Sequence, residues 1–219
     1  MILKKYKNYF EYLCILLFGV ITSFSLPPNN LWFLNFITFS LLFVILHNNR
    51  VKSINFFFIC GYIFGFGYFL SSLYWIPLSL LHDDNFSSLI PLAIILIPAF
   101  LSLFYALAFL VIKILFDSKS TFVNILIFSL VLSIFEYLRG TILSGFPWNL
   151  FAYSLSENIK IIQINSLIGI YAFNMTLITV FCAPSILILY KQKKDILGLL
   201  LIIFLSASSL IYGNLRIND

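Results

Sequence analysis

Glu136 and Arg139 stand three residues apart inside a long apolar run. On a helix that spacing puts both side chains on one face, where the guanidinium can pair with the carboxylate or reach a lipid phosphate as a planar fork. Charged groups at membrane depth are costly, so such a pair marks either a structural anchor or a binding site. Just downstream, Gly145-Phe146-Pro147-Trp148, Phe151 and Tyr153 belong to a connection, 144–158, whose one charge is Glu157. A connection so apolar belongs in the membrane interface, where Trp and Tyr settle. It reads either as an ordinary aromatic belt or as the wall of a lipid-facing cleft that Pro147 stiffens. Gln163 and Asn165 follow at the same level, and Trp75 ends another apolar run. The candidate substrate-binding residues are therefore Glu136, Arg139, Phe146, Pro147, Trp148, Gln163 and Trp75.

Other chemistry finds little support. Cys14, Cys60 and Cys182 fall within apolar runs and read as packing residues. His47 reads as a surface residue at the inner end of its run. His82, Asp83 and Asp84 are consecutive, so they cannot all face one metal, and they read as a solvated loop. An H-x-x-x-x-D pair is missing, since Ser87 and Lys52 occupy the fifth positions after His82 and His47. There is no G-x-S-x-G elbow and no P-loop, and the glycines of 61–67 follow no strand. No catalytic residue, metal or cofactor is assigned.

The elements that position these residues follow from composition. The chain has 219 residues, 62% hydrophobic and 10% charged, with a mean hydropathy of +1.05. An average soluble domain carries roughly 25% charged residues. This balance excludes a cytosolic enzyme, a secreted disulfide scaffold and a disordered tail. The net charge of +5 does not signal nucleic acid, because the basic residues sit at the ends of apolar blocks and form no solvated patch. Continuous apolar runs specify membrane helices, whereas barrel strands alternate. An all-α polytopic membrane protein is predicted, with seven spans at about 10–26, 31–46, 54–81, 88–113, 121–143, 160–190 and 196–213, in a single domain covering 1–219.

With the N-terminus in the cytoplasm, only Arg139, Lys160 and Arg216 of the 13 Lys and Arg residues fall outside. That asymmetry predicts a cytoplasmic N-terminus and an extracytoplasmic C-terminus. At a rise of about 1.5 Å per residue from Thr121, Glu136 lies about 22 Å into a hydrocarbon layer roughly 30 Å thick, near its outer boundary. The third and sixth spans are longer than a bilayer needs, which predicts tilts or kinks. Gly61 and Gly65 form a small-residue packing face, and Pro91 and Pro98 predict a kink in the fourth span. Residues 1–25 also imitate a secretory signal, but six further spans favour an uncleaved first helix.

The run Glu136-Tyr137-Leu138-Arg139, followed by Gly145-Phe146-Pro147-Trp148 and Tyr153, resembles the E-x-x-R and G-F-P-W motifs of the bacterial apolipoprotein N-acyltransferases. The stretch Gly61 to Trp75 resembles that family's Gly-rich helix, and Pro27-Pro28 matches its break after the first helix. Tyr137 stands where the family commonly has Trp. The resemblance covers essentially the whole chain and implies transfer of a phospholipid acyl chain to the free α-amino group of a diacylglyceryl-cysteine. In the family a Glu, a Lys and a nucleophilic Cys are supplied by an extracytoplasmic nitrilase-like domain, which these residues do not include.

From that resemblance follow the expected partners: membrane phospholipid, a diacylated lipoprotein and a separately encoded nitrilase-like chain, in the bacterial inner membrane. The chain is expected to be inactive alone. Two other classes compete with this reading. One is a non-catalytic lipid- or lipoprotein-binding scaffold. The other is a small multispan transporter, for which Asn174 alone offers a polar group at mid-depth.

Overall fold

The computed structural model describes residues 2–82, 87–116, 120–143, 145–189 and 192–218. His82 ends a described helix, while the adjoining Asp83 and Asp84 lie outside the described residues. Every regular element among them is helical. We number the α-helices α1 (Ile2–Ser23), α2 (Leu34–Asn48), α3 (Ile54–Ser72), α4 (Ile90–Leu115), α5 (Thr121–Thr141), α6 (Ile159–Ile162), α7 (Asn165–Cys182), α8 (Pro184–Leu189) and α9 (Lys193–Asn218). Five of these are long and apolar enough to cross a bilayer: α3, α4, α5, α7 and α9. Two shorter apolar helices, Asn8–Ser23 and Leu34–Asn48, lie where the first two spans are expected.

Two predicted spans are revised. The third stops at Ser72, and the chain continues as a 3-10 helix, Ile76–His82, in place of further α-helix. The sixth is not one helix but three pieces, α6, α7 and α8. Within α7, Gly169 has φ +75°, a conformation that a side chain disfavours, and the helical geometry is interrupted there. By contrast α4 runs on through Pro98, whose carbonyl accepts from the Ser102 hydroxyl at 2.5 Å.

Helix packing follows the small residues. A Cβ on Gly61 would lie 2.3 Å from the Tyr105 carbonyl oxygen, so α3 and α4 touch backbone to backbone only because glycine is there. Around that contact Phe57, Phe64, Tyr68, Phe69, Tyr105 and Phe109 are fully buried. At the end of the bundle opposite the 142–164 connection, buried Asp195 ties α9 to the start of α5. It accepts from the Ser120 hydroxyl at 2.8 Å and from the Phe122 N–H at 3.0 Å.

Candidate functional site

Glu136 and Arg139 project from the last two turns of α5 into the bundle, where they are 0% and 1% exposed. The Arg139 Nη2 donates to Glu136 Oε2, and the Tyr105 hydroxyl, from α4, donates to Glu136 Oε1. Of the two remaining guanidinium nitrogens, Nη1 donates to the Phe146 carbonyl oxygen at 2.6 Å and Nε is buried without a partner among the described residues. The Arg139 carbonyl in turn accepts from the Phe146 N–H at 2.8 Å. Phe146 is thus held by both its backbone groups to one residue of α5. The guanidinium also lies 5.2 Å from the Phe69 ring centroid and 5.8 Å from that of Phe146, within cation–π range.

The return from α5 into this segment depends on Gly145. Its φ is +70°, and a Cβ there would sit 2.7 Å from the Gly140 carbonyl oxygen. Beyond it, Tyr68 donates to the Asn149 carbonyl oxygen at 2.9 Å, and Asn149 has φ +58°. Asn174 of α7 accepts from the Ala152 N–H at 2.9 Å, anchoring the 3-10 helix Phe151–Leu155. Tyr153 donates to the Pro147 carbonyl at 3.4 Å. Burial raises its phenol above the ordinary value, with Tyr171 adding to the rise and Arg139 opposing it. The hydroxyl therefore keeps its proton at neutral pH and serves as a donor.

This braced segment forms one wall of a cavity of about 810 Å³. The ends of α1 and α3 complete it, with Ser23, Ser71, Ser72 and Trp75 facing Trp148 and Asn149. Trp75 and Trp148 remain half exposed on its surface. The volume falls within the range of small-molecule sites, about 300–1,000 Å³.

Residues 18–183 match the family model described as the apolipoprotein N-acyltransferase N-terminal domain. The chain belongs to the apolipoprotein N-acyltransferase family. An apolipoprotein N-acyltransferase of Rhodopseudomonas palustris is 38% identical over 177 residues, 79% of this chain and 33% of that protein. One of Bradyrhizobium diazoefficiens is 37% identical over 174 residues, 78% of this chain and 32% of its own. One of Rhizobium rhizogenes is 30% identical over 214 residues, 94% of this chain and 39% of its own. The chain thus spans about a third of the length of these N-acyltransferase relatives.

Of the residues singled out in this N-acyltransferase-family sequence, the structure brings Trp75 and Trp148 to the cavity. Glu136, Arg139 and Phe146 form the brace behind its wall. Pro147 lies on the outer side of the connection, where its carbonyl takes the Tyr153 bond. The alternative in which Arg139 meets a lipid phosphate is not what the geometry gives, because its side chain is enclosed. Gln163 is not at the cavity. The short helix α6 turns its end of the chain toward α9, and Gln163 bonds its own backbone neighbour Ile159 while its carbonyl accepts from Arg216.

Three contributors escaped the sequence: Tyr105, Tyr68 and Asn149. The tyrosines lie within apolar helices with many other aromatics, and nothing in their spacing distinguishes them. Asn149 directly follows the Phe146-Pro147-Trp148 motif, so its position was legible although its role was not. Among the described residues no group of three or more His, Cys, Asp or Glu is placed to hold a metal.

Proposed function

We propose that this chain is the membrane portion of an apolipoprotein N-acyltransferase and that its cavity aligns acylated substrates at the outer surface of the bacterial inner membrane. The observation that carries the reading is the brace itself: a fully buried Tyr105–Glu136–Arg139 network that fixes the backbone of the segment walling the cavity. Buried ion pairs are poor sources of stability but good devices for holding one geometry. Here the geometry held is that of Trp148 opposite Trp75.

The family reaction moves an acyl chain from a phospholipid ester to a cysteine thiol, releasing the lyso-phospholipid alcohol, then from that thioester to the α-amino group of a diacylglyceryl-cysteine, which forms an amide and returns the thiol. Donor and acceptor both keep their chains in the bilayer while their reacting groups lie at its surface, and holding them together lowers the barrier by proximity. Cys60 and Cys182 are fully buried in the helical bundle, which does not suit a nucleophile that must meet both substrates. The thiol, and the Glu and Lys that serve it, are in this reading supplied by a nitrilase-like segment outside these 219 residues. Phospholipid, a diacylated lipoprotein and that segment are the partners. The distribution of the basic residues supports an orientation with the N-terminus in the cytoplasm and the C-terminus outside.

The test is binding of a diacylated lipopeptide to the purified chain in detergent. Arg139→Ala, in preparations whose helical circular dichroism matches the parent, is expected to weaken binding at least tenfold. Unchanged affinity in such a variant refutes the cleft. Independently, a cysteine appended after Asp219 is expected to react with a membrane-impermeant maleimide in spheroplasts. Protection of that thiol until the membrane is opened refutes the orientation.

A further inference from the structure

A second cavity, of about 420 Å³, opens beside the first. Neighbouring residues of the same two segments line the pair: Pro28, Asn29 and Ser156 face the larger, Asn30 and Glu157 the smaller. At their boundary Asn30 Nδ2 donates to Glu157 Oε1, a bond between groups 127 residues apart in sequence. The smaller lining mixes donors with acceptors. Ser154 gives its one hydrogen to the Phe151 carbonyl at 2.7 Å, which leaves its lone pairs. Asn158 caps α6 through Oδ1, accepting from the Ile161 N–H at 3.3 Å, which leaves the hydrogens of Nδ2. Glu157 and Lys160 are exposed and stand three residues apart, yet the ion pairs among the described residues are Lys52–Glu11 and Arg139–Glu136. Each of the two charges on this cavity is therefore left for another group. Trp32, 43% exposed, adds a flat apolar face.

We propose that this smaller cavity binds the main chain of the peptide that follows the acylated cysteine of a lipoprotein. A peptide backbone alternates C=O acceptors with N–H donors, and the residues between Ser154 and Lys160 supply a partner for each. A phosphate headgroup calls for donors alone, and the Glu157 carboxylate repels its charge. An ammonium headgroup calls for acceptors alone, and Lys160 repels it. Trp32 offers its ring to a passing side chain of any type. Continuity supplies the rest of the argument. A diacylglyceryl-cysteine carries its polypeptide on the cysteine carbonyl, so a molecule whose lipid occupies the larger cavity must lead its peptide out, and the boundary at Asn30 and Glu157 opens onto polar lining. The assignment rests on reading the larger cavity as the acyl-lipid cleft. To that reading it adds a grip on peptide groups, which every lipoprotein shares whatever its side chains.

The experiment titrates the purified full chain in detergent with four probes by thermophoresis. They are dihexanoylglyceryl-cysteine amide, the same lipid amino acid extended by Ser-Ala-Ser-Ala, that extension with its peptide nitrogens methylated, and dihexanoylglyceryl-cysteine phosphoethylamide. The extended probe is expected to bind about tenfold more tightly than the amide, and methylation to remove most of that gain. Asn158→Asp keeps the cap oxygen of α6 and replaces the donor; it is expected to reduce the gain about threefold, as is Lys160→Met. The gain is a ratio within one protein, so a variant that only yields less folded material leaves it unchanged. Equal binding of the amide and the extended probe overturns the peptide subsite while leaving the lipid cleft intact. A gain that survives methylation, or that both variants retain in full, overturns it as well, because the contact then lies elsewhere. Tighter binding of the phosphoethylamide than of the peptide gives the cavity to a phosphate headgroup and overturns the assignment. Failure of all four probes to bind overturns the subsite and the cleft together.

Discussion

Removing Glu136 together with Arg139 should cost no more than removing Arg139 alone. In Arg139→Met the Glu136 carboxylate stays enclosed with Tyr105 as its remaining side-chain partner, and the Phe146 carbonyl loses its 2.6 Å donor. Breaking a buried ion pair from one side costs about 3–5 kcal/mol, since the surviving charge is left without compensation. Glu136→Leu strands the guanidinium in the same way and should fall in the same range. The double variant leaves no buried charge. What it still lacks is the bond to Phe146, about 1.5–3 kcal/mol for a charged donor, and an acceptor for the buried Tyr105 hydroxyl, about 1–3 kcal/mol. Two single losses of about 4 kcal/mol each, against about 4 kcal/mol for the pair, give a coupling of about 4 kcal/mol, well above the few tenths expected of independent sites. The assay is reversible unfolding in mixed micelles followed by circular dichroism, with all four proteins compared at one detergent composition. Additivity within about 0.5 kcal/mol refutes the argument, because it would mean that the two side chains do not share one enclosed network.

Other perturbations probe the surroundings of that network. Gly61→Leu sets a side chain against the Tyr105 carbonyl, 2.3 Å from the added Cβ, and should destabilise the fold by at least about 3 kcal/mol in the same unfolding assay. Asn174→Leu frees the Ala152 N–H, at a cost of about 1–3 kcal/mol. Hydrogen exchange should then speed up over 151–155 while α3 and α4 stay protected. Asp195→Ala removes the acceptor of the Ser120 hydroxyl and the Phe122 N–H. It should lower stability by about 2 kcal/mol and raise exchange at the start of α5, without altering lipopeptide affinity at the opposite end of the bundle.

By itself the sequence determined the solvent and the period. A chain 62% hydrophobic with 10% charge cannot face water on all sides, and its apolar runs are long enough that only helices satisfy their backbone in lipid. It also determined that Glu136 and Arg139 share a helix face, since i,i+3 spacing is a local fact that needs no knowledge of neighbours. The Phe146-Pro147-Trp148 connection was legible as a break between helices, because Gly145 and Pro147 interrupt the apolar run there.

What only the tertiary structure decided is which side chains meet across helices. In a soluble helix the apolar stripe marks the inner face, but in lipid the inner and outer faces are both apolar, so Tyr68 and Tyr105 carry no label that separates them from lipid-facing neighbours. Their partners, Asn149 and Glu136, lie 81 and 31 residues away along the chain. Asn174 was conspicuous as a polar group at mid-depth, yet its task of holding the Ala152 N–H depends on how α7 packs against the 3-10 helix. Gly169 and α6 carry the same lesson. A run apolar enough for one long span is divided where a single left-handed residue and a close approach to α9 turn the chain, and that turn is what leaves Gln163 outside the cavity.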